Sequence, residues 1–456
     1  MTRPPTTDPT PPPAGPPPAG RRRLRGTAVT LALGTALFAA GAVGLAPQNS
    51  GPSEAAPGPA PGNAAAGHPG SLPALRARLR RLPQDDAAWA QLGMAYVQQG
   101  RTTADPATYA KAESALRTSL KVRPDDNYPA QTGMGALAAA RHDFAAALAW
   151  GRRAAAVNPA GPGAQGVLAD AYTQLGRYEE SYRAVQRMAD LRPDTASLAR
   201  ASYTWELRGD VPRARALMER ALDDASTPGD RAFAHAHLAT LAQESGDART
   251  ALREAEDGLR ATPHDAPLLE ARARARGALG DGTRAVADYT AAIAITPLPP
   301  YVMGLGELQQ ALGHPARARV QYALMRAQEQ LSRAGGAAPD VDAILFEADH
   351  GDPGRAVAMG RVALRGRPFI AVQDACAWAL HRAGRDAEAL RHADRALALG
   401  TRSALFHYHR AVIEGALGDR VAARRDLVRA LAVDPHFHPL HAPAARSALQ
   451  RIDSLS

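Results

Sequence analysis

A glycine recurs along most of the sequence at intervals of 33 to 38 residues, and each one lies between two alanine-rich stretches. A glycine just past a helix supplies the left-handed backbone that ends the helix. Five of these glycines are followed by an aspartate, which can cap the start of the next helix. Such a near-constant period predicts a stack of helix pairs rather than one closed core. The recurring glycines are Gly176, Gly209, Gly246, Gly280, Gly313, Gly351, Gly384 and Gly418.

The apolar residues inside each unit have helical spacing. After Gly176, the residues Ser181, Val185 and Met188 follow one another at steps of four and three, which places them on one face of a helix. Pro193 closes this unit, because proline disfavours helix in the residue before it. Each unit is therefore predicted to contain one helix before the glycine and one after it.

The first unit carries a recognisable pattern, formed by Trp89, Leu92, Gly93 and Tyr96. With this pattern the chain resembles the tetratricopeptide repeat proteins, and the resemblance extends over ten units between residues 85 and 435. It implies an all-α fold, a right-handed superhelical solenoid of about ten helix-turn-helix repeats. The small residue that the family has early in the second helix is present as Ala147, Ala214, Ala251, Ala285, Ala318, Ala356, Ala389 and Ala423.

Three units depart from the family pattern. The first has an insertion at residues 101–106, and another has His142 where the glycine is expected. A third has a long second helix that is predicted to run to Arg333. These departures affect boundaries rather than the predicted architecture.

The region before the repeats indicates a membrane segment. Five arginines before residue 26 precede an uncharged run of 21 residues, from Gly26 to Ala46. About 20 apolar residues span a bilayer, and the arginines favour a cytoplasmic start. A single-pass anchor in the cell membrane is predicted, with the repeats outside the cytoplasm. The alternative is a cleaved signal and secretion.

The predicted organisation follows from these boundaries. It consists of a disordered proline-rich tail (1–20), a transmembrane anchor or signal segment (21–46), a Pro/Gly-rich linker (47–70), an N-terminal capping helix (71–84), the repeat array (85–435) and a C-terminal capping segment (436–456).

Charge and motifs argue against several function classes. The net charge is +9, but outside the first 25 residues acidic and basic side chains are interspersed, which is typical of solvated helix faces. We therefore expect no nucleic-acid partner. The sequence contains no phosphate loop, nucleophile turn or zinc-helix motif, so neither an enzyme activity nor a cofactor is predicted. Cys376 is the only cysteine and falls at a buried position of the repeat.

The resemblance implies where partners bind. In this family the first helices line the concave side, where peptides bind, so a non-catalytic scaffold for protein or peptide partners is expected. Tyr203 and Trp378 are the predicted anchors, because aromatic side chains often dominate interface energies. Alternatively, both pack against neighbouring helices. The positions implied to face the groove are Tyr203, Glu206, Gln243, Glu270, Arg274, Glu307, Gln310, Trp378 and His381.

Three histidines, His436, His438 and His441, lie in a proline-broken segment after the last repeat. Imidazole suits zinc, copper or nickel, so an alternative function is metal handling or a transport-accessory role. No cysteine or carboxylate within this segment completes a ligand set, and the other interpretation is a polar connection into a closing helix. The sequence leaves the oligomeric state and the identity of the partner open.

Overall fold

The computed structural model describes Met1 and residues 70–103, 106–334 and 337–454. The predicted tail, the predicted anchor or signal segment and the linker up to residue 69 lie outside the described residues, apart from Met1. Within the described part of the chain, no helix is long and apolar enough to cross a membrane.

The described residues form 22 helices and no strand. The first, α1 (Leu72–Arg81), packs on α2, and the last, α22 (His441–Asp453), packs on α21. The other twenty form ten pairs, which is the all-helical repeat architecture that the sequence predicts. The pairs are α2 (Asp86–Thr103) with α3 (Pro106–Val122), α4 (Tyr128–Ala140) with α5 (Phe144–Val157), α6 (Pro162–Gln174) with α7 (Tyr178–Leu191), α8 (Thr195–Leu207) with α9 (Val211–Asp223), α10 (Pro228–Glu244) with α11 (Ala248–Ala261), α12 (Ala266–Ala278) with α13 (Gly282–Ile295), α14 (Pro299–Ala311) with α15 (Pro315–Ala334), α16 (Val341–His350) with α17 (Pro353–Gly366), α18 (Ile370–Arg382) with α19 (Asp386–Leu397), and α20 (Ala404–Ala416) with α21 (Arg420–Val433).

The aspartates after the glycines cap the second helices, as predicted. In each case the carboxylate accepts a hydrogen bond from the backbone N–H three residues later. Each cap satisfies a donor that the start of a helix leaves unpaired, and such a cap contributes about 1 kcal/mol. The capping residues are Asp210, Asp247, Asp281, Asp352 and Asp419.

Seven of the eight recurring glycines have positive φ, between 69° and 87°. Gly351 has φ −137°, so the prediction of a left-handed backbone is wrong at this turn. In another turn the Asp247 N–H donates to the main-chain oxygen of Ala242 at 2.9 Å. The Asp352 N–H instead donates to the side chain of Glu347, at 2.6 Å. Because a side chain replaces the main-chain acceptor, this turn needs no left-handed residue.

The repeat that lacks the glycine keeps the turn geometry. His142 occupies the corresponding place with φ 60°. The left-handed conformation costs a non-glycine residue about 1–2 kcal/mol. The His142 ring stacks on Phe144, with ring centroids 5.8 Å apart. The array therefore imposes the same turn on a residue type that does not favour it.

Small residues fill the contacts between helices. Ala214, Ala251 and Ala285, at the small position of the second helices, have no exposed surface, and Cys376 is 1% exposed, as predicted. Alanine has the best helix propensity and lets neighbouring helices approach closely. Burial is therefore distributed along the array rather than concentrated in one core.

Hydrogen bonds also join the third and fourth repeats to the ninth and tenth. The Ile370 N–H donates to the Tyr178 hydroxyl at 3.0 Å, and the Thr401 hydroxyl donates to the Leu207 carbonyl at 2.5 Å. The partners are 192 and 194 residues apart in the sequence. These contacts close the curve of the array on itself, and no pattern in the sequence predicts them.

Gly209 lies at the closest approach of this closure. Its φ is +74°, and a Cβ atom added there would lie 2.3 Å from the carbonyl oxygen of Gly400. Both the backbone conformation and the neighbouring chain therefore require glycine at this position.

Candidate partner-binding groove

The first helices form the inner layer of the array. Most first helices contact the first helix of the next repeat; for example, α2 contacts α4 and α16 contacts α18. The second helices, in contrast, make contacts mainly with first helices. The layer whose members lie closer together is on the inside of the curve. The predicted partner-binding residues all belong to this layer, on α8, α10, α12, α14 and α18.

An open pocket lies on the inner layer, between α6, α7, α8 and α10. Its empty volume is about 430 Å³, part of which is open solvent. Tyr203 lines it together with Phe233 and His237, and Asp170 and Arg200 form part of the wall. Tyr203 is half-buried. We call this site the Tyr203 pocket. Of the two predicted aromatic anchors, Tyr203 is therefore the one that faces open space.

The polar groups in the wall of the Tyr203 pocket are paired within the protein. Arg200 makes two hydrogen bonds to Asp170, at 2.8 and 2.9 Å. The hydroxyls of Thr173 and Ser181 are 2.6 Å apart. Burial lowers the pKa of His237 to about 4, so its ring is neutral at pH 7. The pocket consequently presents an aromatic surface on a pre-formed polar frame.

Three carboxyl groups continue along the inner layer beside this pocket. Glu206, Glu244 and Glu270 lie on α8, α10 and α12, and we call them the carboxylate row. Burial raises the pKa of all three, and the charge of Glu244 raises that of Glu206 further. Arg274 opposes this effect, with its Nε 3.9 Å from the Glu270 carboxylate. A basic group placed here would oppose these shifts and favour the ionised carboxylates.

Two other predicted residues are engaged by neighbouring side chains. Gln243 is 5% exposed, and its side chain helps to lower the pKa of Asp434, in the loop after the last repeat. Gln310 is exposed and accepts a hydrogen bond from the Tyr322 hydroxyl at 2.8 Å. Gln243 therefore takes part in the closure of the array, and a role for either glutamine in partner binding stays a prediction.

Beyond α12 the inner layer is covered by residues 436–441, which comprise the loop before α22 and the first residue of that helix, and which we call the C-terminal loop. His438 Nε2 is 3.0 Å from the Glu307 carboxylate on α14, and His441 Nε2 is 3.9 Å from Asp349 on α16. The two imidazoles stack with their centroids 4.2 Å apart. Glu307 is only 3% exposed. The groove position implied at Glu307 is thus occupied by a histidine of the same chain.

The charges inside this contact are arranged as one ion pair. Burial opposes ionisation of Glu307, but His438 and His350 outweigh it and hold its pKa down at about 2. Burial also opposes the charge on His438, but Glu307 outweighs it and raises the pKa of His438. Burial, together with the charge of His438, lowers the pKa of His441 to about 2. His441 is therefore neutral where it stacks on His438.

Trp378 lies beneath this loop and is 3% exposed. Its Nε1 donates to Asp349 at 2.9 Å, and its ring stacks on His409 at 4.2 Å. The His441 ring lies 5.6 Å away. His381 is also engaged, with its Nδ1 2.6 Å from Asp386. Trp378 thus packs against neighbouring helices, which is the alternative that the sequence left open. It could contact a partner only if the C-terminal loop left the groove.

The three histidines considered for metal binding do not point to one centre. His436 is exposed, and its backbone N–H donates to Asp434. His438 and His441 face Glu307 and Asp349 separately. Across residues 70–103, 106–334 and 337–454, no group of three or more histidine, cysteine or acidic side chains is arranged to hold a metal ion. Metal handling by these histidines stays a prediction.

Sequence reasoning missed Phe233, His237 and Glu244 as groove residues. Phe233 and His237 are four residues apart on a first helix, so this spacing could have placed both rings on one face. The position of the C-terminal loop had no comparable signal, because its contacts join residues far apart in the sequence.

The ten helix pairs, with their glycine and aspartate turns, decide the architecture. The chain is a helical repeat array, consistent with a tetratricopeptide repeat protein. No protein-family model and no curated protein matches the sequence.

The array is similar to several solved structures at low sequence identity. A tetratricopeptide repeat protein from Parabacteroides merdae ATCC 43184 is 17% identical over 57% of this chain and 98% of its own, with a TM-score of 0.33. A thermophilic tetratricopeptide repeat protein of Thermus thermophilus is 23% identical over 42% and 98%, with a TM-score of 0.36. Yeast Tom70 is 14% identical over 84% and 93%, with a TM-score of 0.35.

Proposed function

We propose that the repeat array is a non-catalytic scaffold that binds a segment of another protein in the open part of its inner layer. The observation that carries this proposal is the Tyr203 pocket, an open site lined by Tyr203, Phe233 and His237. Aromatic side chains on rigid helices bind with little loss of conformational freedom. The site therefore offers a pre-formed place for an apolar side chain of a partner.

The carboxylate row defines the second half of this proposal. Glu206, Glu244 and Glu270 follow the pocket along α8, α10 and α12, and Arg274 compensates only part of their charge. A lysine or arginine of the partner would relieve the repulsion between Glu206 and Glu244. The bound segment is accordingly one that carries an apolar residue next to a basic residue.

Binding rather than catalysis is supported by the state of the polar groups in the pocket. Arg200 is committed to Asp170, and Thr173 to Ser181. His237 is neutral at pH 7 and has a pKa of about 4, which lies well below the range that suits a general base. The partner is thus held rather than chemically altered.

We also propose that the array acts outside the cytoplasm, held at the membrane by residues 26–46. The length of this uncharged run and the arginines before it support the proposal. N-terminal sequencing by mass spectrometry of the protein isolated from membranes tests it. A first residue beyond Ala46 would show that the segment is cleaved, and the array is then secreted.

The groove proposal is tested by crosslinking and capture from the membrane fraction with the wild type and two variants. Tyr203→Ala is expected to reduce capture of specific partners at least about fivefold, since an anchor contributes about 1 kcal/mol or more. Trp150→Ala, which removes a half-buried aromatic from the second helix α5, is the matched control. Circular dichroism should show that both variants keep their helical content. Equal capture by wild type and Tyr203→Ala would contradict the proposal.

A further inference from the structure

The C-terminal loop contacts the same repeat position that forms the open pocket. Trp378 and Glu307 each lie six residues before the recurring glycine of their repeat, and Tyr203 has the same register in the open half. His438 Nε2 of the loop is 3.0 Å from the Glu307 carboxylate. The His441 ring lies 5.6 Å from the ring of Trp378. The loop thus occupies, within its own chain, positions that are equivalent to those of the proposed partner site.

The loop presents an aromatic side chain next to a basic one. The Phe437 ring lies 5.6 Å from the ring of Tyr408, and the adjacent His438 faces Glu307. An apolar residue next to a basic residue is also the combination that the Tyr203 pocket and the carboxylate row favour in a partner. The contacts of the loop therefore indicate which chemistry fits the covered half of the groove.

The end of the array is capped by α22 rather than by the loop. Ala442 and Ala445 of α22 are buried, and Leu449 and Ile452 pack against the core that includes α21. A stacked array needs one such helix to cover its last repeat. Because α22 meets this need, the contacts of the loop with the groove are additional to those that close the fold.

The loop contacts the groove through side chains. Its backbone is tied to α22, since the His438 carbonyl accepts a hydrogen bond from the Ala442 N–H at 3.1 Å. His436 and Pro439 are exposed. The contacts with Glu307, Trp378 and Tyr408 are made by the side chains of the loop. A partner segment with similar side chains can therefore make the same contacts in its place.

The groove beneath the loop keeps hydrogen-bonding capacity that the loop does not use. Among the described residues, His409 Nε2 and Asp374 Oδ1 have no hydrogen-bond partner, and each of these residues is only 1% exposed. The His409 ring lies between Trp378 and His441, with centroid distances of 4.2 and 6.0 Å. Leaving a buried polar group unpaired is unfavourable. A segment that supplies partners for these atoms would bind more tightly than the loop.

We propose that the C-terminal loop is an internal competitor that covers a second partner site, and that this site takes a protein segment with an aromatic residue followed by a basic residue. The proposal rests on the proposed scaffold function, because it assigns the same kind of partner to the covered half. The partner segment replaces Phe437 beside Tyr408 and His438 at Glu307. A tethered ligand has an effective concentration on the order of millimolar, so the loop lowers the apparent affinity of the site.

The test measures binding of a labelled synthetic peptide with the sequence of residues 435–442 to the full chain by fluorescence anisotropy. Phe437→Ala with His438→Ala, which we call the released variant, removes the two side chains with which the loop competes. We expect the peptide to bind the released variant at least about tenfold more tightly than the wild type, because the internal competitor is weakened. His436→Ala is the matched control, since His436 is exposed, and it should bind the peptide as weakly as the wild type.

Two further changes to the released variant assign the peptide to one half of the groove. Glu307→Gln should abolish the gain in affinity, because it removes the carboxylate that faces the basic residue. Tyr203→Ala should leave the gain unchanged, because Tyr203 lies in the open half. A second peptide, with alanine at the positions of Phe437 and His438, should bind the released variant no better than the wild type.

Three results would overturn the proposal. The first is equal binding of the peptide by the wild type and the released variant. The second is a gain that Tyr203→Ala removes and Glu307→Gln does not, which would place the peptide in the Tyr203 pocket and leave the proposed function intact. The third is loss of helical circular dichroism in the released variant, which would make the loop a structural part of the last repeats. Conversely, a gain that depends on Glu307, with partner capture unaffected by Tyr203→Ala, would support the covered site and contradict only the Tyr203 pocket.

Discussion

The inner layer differs between its two halves. From α6 to α12 it is open, and it presents the Tyr203 pocket and the carboxylate row. From α14 to α20 it is covered by the C-terminal loop, whose histidines contact Glu307, Asp349 and Trp378. Both halves are built from the same type of first helix. The same repeat position can therefore serve binding in one half and self-packing in the other, depending on what the rest of the chain places against it.

The largest expected difference between the halves is in stability. Trp378→Ala should lower the free energy of unfolding by about 3–5 kcal/mol, because it removes a buried ring and leaves a cavity. Tyr203→Ala should cost only about 1 kcal/mol, because Tyr203 faces an open pocket. Urea unfolding followed by circular dichroism measures both. Similar costs for the two variants would show that the halves do not differ in this way.

The closure of the array is tested by a pair of glycines. Both Gly209 and Gly418 have positive φ, but only Gly209 faces the Gly400 carbonyl, and Gly418 has nothing within 4 Å. Gly418→Ala should cost about 1–2 kcal/mol of left-handed strain. Gly209→Ala should cost about 1–3 kcal/mol more, because the added methyl group must displace the facing chain. Thermal unfolding gives both values, and equal costs would argue against the closure.

In the open half of the inner layer, ionisation of the carboxylate row should lower the stability of the fold and strengthen binding of a basic partner. The double variant Glu206→Gln with Glu244→Gln is expected to lower the affinity for the partner about tenfold, because it removes carboxylates that would pair with a basic residue of the partner. Because burial raises the pKa of both groups, their ionisation destabilises the fold as pH rises above the unfolded value. The variant should accordingly unfold at a higher urea concentration than the wild type at pH 8, but not at pH 4.

The control for this variant removes two carboxylates from the outer layer. Glu219→Gln with Glu256→Gln makes the same change of charge on α9 and α11, where both side chains are about half exposed. We expect neither the partner affinity nor the pH dependence of stability to change. A loss of affinity equal to that of the inner variant would mean that only the overall charge matters.

The smallest expected effect concerns the ion pair in the covered half. The raised pKa of His438 means that its contribution is fully present below the unfolded value, near 6.5, and is lost as pH rises through the folded pKa. The lowered pKa of Glu307 means that its contribution is present above about 4.5 and is lost as pH falls towards 2. The pair is therefore most stabilising between about pH 4.5 and 6.5.

His438→Gln isolates this contribution. The difference in unfolding free energy between wild type and variant should be about 1 kcal/mol near pH 5.5 and smaller at pH 9. His436→Gln is the control, because His436 is exposed and only its backbone N–H is bonded. A difference that is constant from pH 5 to pH 9 would contradict the ion pair.

The helical repeats could be predicted from the sequence, whereas the residues of the candidate groove could be predicted only in part. The period of the glycines, the capping aspartates and the buried position of Cys376 were predictable because they depend on neighbours within one or two repeats. The placement of Tyr203 on the inner layer was implied by the family resemblance, and its role in partner binding stays a prediction. The left-handed backbone predicted for Gly351 was wrong, because the side chain of Glu347 replaces the main-chain acceptor that the other turns use.

The amino-acid order alone determined that the chain is an array of helix pairs, since helix spacing, caps and small residues act over short distances along the chain. Only the tertiary structure decided which part of the inner layer stays open. Contacts such as Glu307 with His438 and Tyr178 with Ile370 join distant repeats. They depend on the accumulated curvature of many repeats, which no local pattern encodes.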